Sequence, residues 1–167
     1  MHRVRSPGDA PRVGWRVEPL SKSSGEPTCK AIKSVKSPTT TKAASLFSKN
    51  LFSTSPEVIA SVAEVLATVV KATRKYANIV KNAPGCLRQV PTFKRVKNKS
   101  IGLMSLPHFG NQSRAWSLHG RFQGINIYFD LIIVRIQRAL AIYESGGVGS
   151  GDTYLEIKLV RKATARA

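Results

Sequence analysis

Acidic residues are what this chain lacks most. It has 9 Asp and Glu against 27 Lys and Arg in 167 residues, a formal net charge of +18. Between Glu64 and Asp130 there is no carboxylate at all, while eleven Lys and Arg fall in that interval. So few carboxylates leave little for two-carboxylate acid–base chemistry. Cysteine is limited to Cys29 and Cys86. Neither belongs to a CxxC pair or stands beside a histidine at ligand spacing, which argues against zinc and makes reduced thiols in an intracellular setting the default. His2, His108 and His119 have no cysteine or carboxylate at metal-ligand spacing, and no G-x-S-x-G appears. The expectation is a protein without metal or cofactor that is not an enzyme.

Long apolar runs are scarce too. The N-terminus carries Arg3, Arg5, Arg12 and Arg16 but no apolar core of a secretory signal, and Pro7, Gly8, Pro11 and Gly14 oppose the amphipathic helix of a mitochondrial presequence. The greasiest stretch, residues 125–143, reads INIYFDLIIVRIQRALAIY. A membrane span of that length tolerates charge poorly, and this one holds Asp130, Arg135 and Arg138. It therefore reads as strands, with Ile125, Ile127, Phe129, Leu131 and Ile133 on one face. From Val134 the apolar positions change parity, which predicts a bulge or bend near residue 133, with RIQRALAIY as an alternative two turns of helix. Asp130 and Arg135 are expected on the wet face or at that bend.

What is present divides the chain in two. Residues 1–54 are dense in Ser, Thr, Lys and Pro and read as a flexible basic arm, unable to bury enough apolar surface to offset its ordering entropy. Residues 55–167 are sized for a single domain. Within it, Ser55 as N-cap, Pro56 at the first helical position and a stripe through Ile59, Val62, Leu66, Val69, Thr73, Tyr76 and Val80 predict an amphipathic helix over 56–83, ended by Pro84-Gly85. Residues 112–162 are β-rich: RAWSLHGRFQ, the apolar run above, and TYLEIKLVRK, whose Ile157 is expected to face the same interior as Ile127. The glycine-rich loop 146–151 approximates a P-loop but places Asp152 where the phosphate-binding Lys belongs, so it reads as a hairpin tip. The fold class is α+β: one long amphipathic helix packed on a small antiparallel sheet. Trp116, Phe122, Tyr128 and Phe129 read as core in preference to a base-stacking platform.

An excess of positive charge this large points to a polyanionic partner: nucleic acid such as RNA, a nucleocapsid, or an anionic membrane surface. The candidate contact residues are Lys71, Arg74, Lys75, Lys94, Arg95, Lys97 and Lys99, all inside the acid-free interval.

The order INIYFDLIIV, RALAIY, turn, YLEIKLVRK over residues 112–162, behind a basic arm, resembles the β-rich part of matrix proteins from nonsegmented negative-strand RNA viruses, of the plant rhabdovirus and bornavirus types. It lacks the P-P-x-Y budding motif that many of them carry. The resemblance implies a non-enzymatic structural protein of the virion and host cytoplasm. Such a protein self-associates into a homo-oligomer, binds anionic membrane peripherally and condenses the nucleocapsid. Two other readings accommodate the same charge: a ribosomal or organellar RNA-binding protein, and a viral movement or silencing protein.

Overall fold

The computed structural model describes residues 15–18, 39–49, 57–89, 95–149, 157, 158 and 160–162. Seven strands form one antiparallel sheet in the order β1-β2-β3-β7-β6-β5-β4. They are β1 (Trp15–Glu18), β2 (Thr39–Lys49), β3 (Glu57–Leu66), β4 (Lys97–Leu103), β5 (Gln112–Phe122), β6 (Ile125–Ile136) and β7 (Ala139–Val148). One helix, α1 (Val69–Gln89), packs on a single face, chiefly against β6 and β3. The α+β class is therefore observed, with the sheet the larger partner. Two strands fall inside the range expected to be a flexible arm, and the remainder of residues 1–54 lies outside the described residues.

The helix expected over 56–83 is half strand. Residues 57–66 pair on one side with β2 and on the other with β7. The stripe there is genuine, but Val58, Ile59, Val62 and Val65 are β-branched, and two strand partners outweigh a weak helical preference. The helix begins after Thr68, whose hydroxyl accepts a hydrogen bond from the Lys71 amide at 3.2 Å, an N-cap that replaces the expected Ser55. Ala72, Tyr76, Ile79, Ala83, Cys86 and Leu87 are its buried positions. Pro84 lies inside the helix and does not end it. The missing amide costs one intrahelical bond, and the burial of Ala83, Cys86 and Leu87 around it carries the helix onward. Cys86 is disulfide-bonded, so the reduced state expected of the thiols does not hold for it; the chain's other cysteine, Cys29, lies outside the described residues.

Residues 125–143 are β6, a two-residue turn and half of β7. No bend interrupts β6 near residue 133, and RIQRALAIY is not helical. The parity change has another cause. Leu131, Ile132, Ile133 and Val134 are all buried in succession because β6 is covered on both faces. Leu131 and Ile133 join Leu66, Ile79, Trp116, Leu118 and Leu140 beneath α1. Ile132 and Val134 join Phe109, Ala115, Tyr143 and Val160 on the opposite side. Asp130 and Arg135 are buried as well, at 3% and 9% exposure, which removes the wet face expected for them. The turn is Gln137-Arg138, with Gln137 at φ 51°, a left-handed conformation reached without glycine. No helix among the described residues is long and apolar enough to cross a membrane.

The described residues beyond 156 depart from the strand expected over TYLEIKLVRK. Residues 157–158 and 160–162 are helical, and Val160 closes the second face at 1% exposure. Ile157 packs there while Ile127 packs on the α1 side, so the two face different interiors. Gly146 and Gly147 are not a hairpin tip but interior positions of β7. A Cβ on Gly146 would lie 3.2 Å from the Phe129 ring, so a bare backbone accommodates that ring. Trp116 and Tyr128 are core, at 5% and 4% exposure.

The double-sided burial of β6 makes a stability prediction. Ile133→Ala, at a position with no exposed surface, should lower the unfolding free energy by about 2–5 kcal/mol. Ile125→Ala, 51% exposed on the same strand, should change it by less than about 0.5 kcal/mol in the same denaturant titration.

Candidate polyanion interface

The buried side of α1 fixes which residues point outward. With Ala72, Tyr76, Ile79, Ala83 and Leu87 on the sheet, the opposite line of the helix carries Arg74, Lys81 and Arg88 at seven-residue spacing, all exposed. Seven residues are nearly two turns, so the three cations stack along one edge of the cylinder. Lys71 stands beside the start of this line, and from Lys71 to Arg88 it runs about 25 Å. No acidic residue occurs anywhere in α1.

The expected contact residues separate into groups. Arg74 is on the outward line, and Lys71 is exposed beside its start. Lys75 is not: it projects from the helix flank onto Glu64 of β3, Nζ to Oε1 2.6 Å, with 12% and 10% of the two side chains exposed. Its charge is spent inside the fold. Arg95, Lys97 and Lys99 are exposed on and just before β4, the edge strand of the sheet. Lys94 lies outside the described residues. Lys81, Arg88 and Arg121 are exposed cations that the sequence alone does not single out as contacts. The heptad spacing of Arg74, Lys81 and Arg88 is visible there, but only once the helix is bounded at 69–89 does it become a line facing out.

The acids are placed the other way. Of the four at positions 57, 64, 130 and 144, none is exposed. Glu64 is held by Lys75. Asp130 accepts the hydroxyl proton of Ser117, and Ser117 Oγ also lies 2.7 Å from His119 Nε2. A hydroxyl has one proton. With it directed to Asp130, the oxygen accepts from His119, so this serine–histidine–aspartate contact is a relay that satisfies a buried carboxylate and not a base-activated nucleophile. The cavity beside Asp130, about 10 Å³ and bordered by Ile59, Ile132 and Val160, has room for about one water. Among the described residues no cluster of three or more His, Cys, Asp or Glu side chains is placed to hold a metal ion.

Three polar groups, Arg135, Tyr76 and Glu144, lie on the α1 side of the sheet. Arg135 donates from Nε to Gln112 Oε1 at 2.7 Å and from Nη1 to the Gln137 carbonyl at 3.0 Å, which closes the β6–β7 turn. Burial pushes the Tyr76 hydroxyl up, with Arg114 and Arg135 pulling against it. Glu144 stands in a cross-strand row between Ala60 and Leu131, and burial raises its carboxyl above the ordinary glutamate value.

No family model matches the chain, and no curated protein matches it. Among solved structures it is similar to LpqN of Mycobacterium tuberculosis, described as involved in cell envelope biogenesis. The identity is 13%, the TM-score 0.38, and the match covers 93% of this chain and 77% of that one.

Glu144 yields a pH prediction. A raised carboxyl pKa means the folded state holds its proton where the unfolded state has released it, so folding stability falls as pH rises through that window. Glu144→Gln should therefore raise the melting temperature at pH 7. The gain should shrink on acidification and vanish below the ordinary value of 4.5, where both states are protonated. Thermal melts of the two proteins from pH 4 to 7, as an approximate range, check this; a gain independent of pH would assign the effect to packing.

Proposed function

We propose that this protein binds an extended polyanion through the outward face of α1. The observation that carries the reading is the line Lys71, Arg74, Lys81, Arg88, with no acidic residue on the helix and none exposed at positions 57, 64, 130 or 144. Cations on an outward face release counterions from a polyanion as they meet it, and that release supplies affinity without any shaped pocket. The cavity beside Asp130, about 10 Å³, is no larger than a water and too small for a substrate. A rigid helix backed by a sheet also keeps the cations registered, so little ordering entropy opposes binding.

A matrix-like layer protein and a basic RNA-binding protein both fall under this reading. They part on what is bound and whether the chain self-associates. The matrix-like role requires co-sedimentation with phosphatidylserine vesicles and oligomers that grow with concentration in the absence of RNA. The RNA-binding role requires neither.

Arg74→Gln/Lys81→Gln/Arg88→Gln should weaken binding to RNA or anionic vesicles by about tenfold or more at roughly 0.1 M salt, and flatten the dependence of log K on log salt. Lys75→Gln provides the contrast. Adjacent to Arg74 in sequence but engaged with Glu64, it should reduce thermal stability and leave polyanion affinity near that of the parent chain. Equal weakening by Lys75→Gln and by the triple substitution would overturn the assignment of the face.

A further inference from the structure

The cations do not stop at the end of α1. Leu87 of α1 and Val96 before β4, both buried, lie with half-buried Gly120 of β5 at the corner where the helix ends. Leu87, Val96 and Leu118 belong to one core beneath the helix, and Val96 lies so close to Gly120 that a Cβ there would collide with its methyl. The residue following each of Leu87, Val96 and Gly120 is an exposed cation: Arg88, Lys97 and Arg121.

These cations point to different sides of the sheet. Phe122 packs on the α1 side, so by strand alternation Arg121 projects from the opposite face. Lys97 is the direct cross-strand partner of Arg121 and shares that face. Arg121 is also held in place, donating from Nη2 to the Gly124 carbonyl at 3.1 Å with the rest of its guanidinium outward. Between the two faces runs β4, the last strand of the sheet, with Lys97–Ser100 exposed along it. The basic surface is therefore a band that follows the outside of α1, rounds the β4 edge and ends on the far face.

Resting on the polyanion reading above, we infer that the partner is a single-stranded nucleic acid, bound by its phosphates along α1 and around the β4 edge to Lys97 and Arg121. A lipid bilayer is flat at this scale and touches one side of the sheet. A duplex is stiff over about 150 base pairs and cannot fold around an edge one protein layer thick. A single strand can. Recognition is through the phosphate chain and not through base stacking, because Trp116 and Tyr128 are buried and Phe122 and Phe129 pack against the core beneath α1.

The test uses the full-length chain and three probes: an oligouridylate of about 30 nucleotides, an RNA duplex of equal length, and phosphatidylserine vesicles, each titrated over salt. Lys97→Gln/Arg121→Gln should lower oligouridylate affinity about tenfold or more near 0.1 M salt. It should also reduce the salt slope by about 0.7 for each phosphate no longer neutralised, while duplex and vesicle binding stay at the parent level. An unchanged oligouridylate slope, or equal weakening on all three probes, overturns the wrapped single strand. Failure of the underlying reading looks different: Arg74→Gln/Lys81→Gln/Arg88→Gln would then leave all three probes unaffected. All five positions are exposed, and coincident thermal melts verify that the folds compared are the same.

Discussion

The burial of β6 on both faces is the constraint from which the rest follows. A strand with four consecutive buried residues, Leu131 to Val134, needs strands on both edges and a covering layer above and below. β5 and β7 supply the edges. α1 supplies one layer, and residues 104–109 with Val160 supply the other. Each cover then imposes its own demand. α1 must present small and apolar residues to the sheet, which forces its cations to the outside. The second face must take in Asp130, which it does by enclosing that carboxylate with the hydroxyl of Ser117.

Much of this is legible in the sequence where only one face of an element is buried, or where a turn carries its usual residues. β5 and the start of β6 are readable because their apolar residues alternate; the chain turns between them at Gly124, φ 84°. The apolar stripe of Tyr76 and Val80 correctly announces a helix face. The reading fails where a strand drops its alternation. Residues 131–134 look like a register slip when they are a doubly covered strand, and the Gln137-Arg138 turn hides in an apolar run because it contains no glycine. Residues 57–66 fail for the opposite reason. Apolar positions at steps of three and four fit a helix, but the pairing of Ile59 with Ser145 and of Ala63 with Ala43 is long-range and leaves no local trace.

The candidate interface is legible as composition but not as geometry. The acid-free interval contains the outward cations of α1 and β4, yet it cannot tell Arg74 from Lys75. One faces solvent and the other neutralises Glu64 across the helix–sheet junction. Nor can it reveal Arg121, whose direction depends on the parity of β5 relative to Phe122. A charge count weighs each lysine alike, whereas the fold separates those that balance an internal carboxylate from those left to act outside.

That separation gives the surface an unusual electrochemical character. With Glu64, Asp130 and Glu144 turned inward, the outward charge of the described residues is carried by Lys and Arg. The outward face among the described residues is thus nearly all of one sign. What sets its reach is the surrounding electrolyte, whose screening length is about 8 Å at physiological ionic strength. The proposed hold on an anionic partner therefore loosens as salt rises or as a competing polyanion is offered.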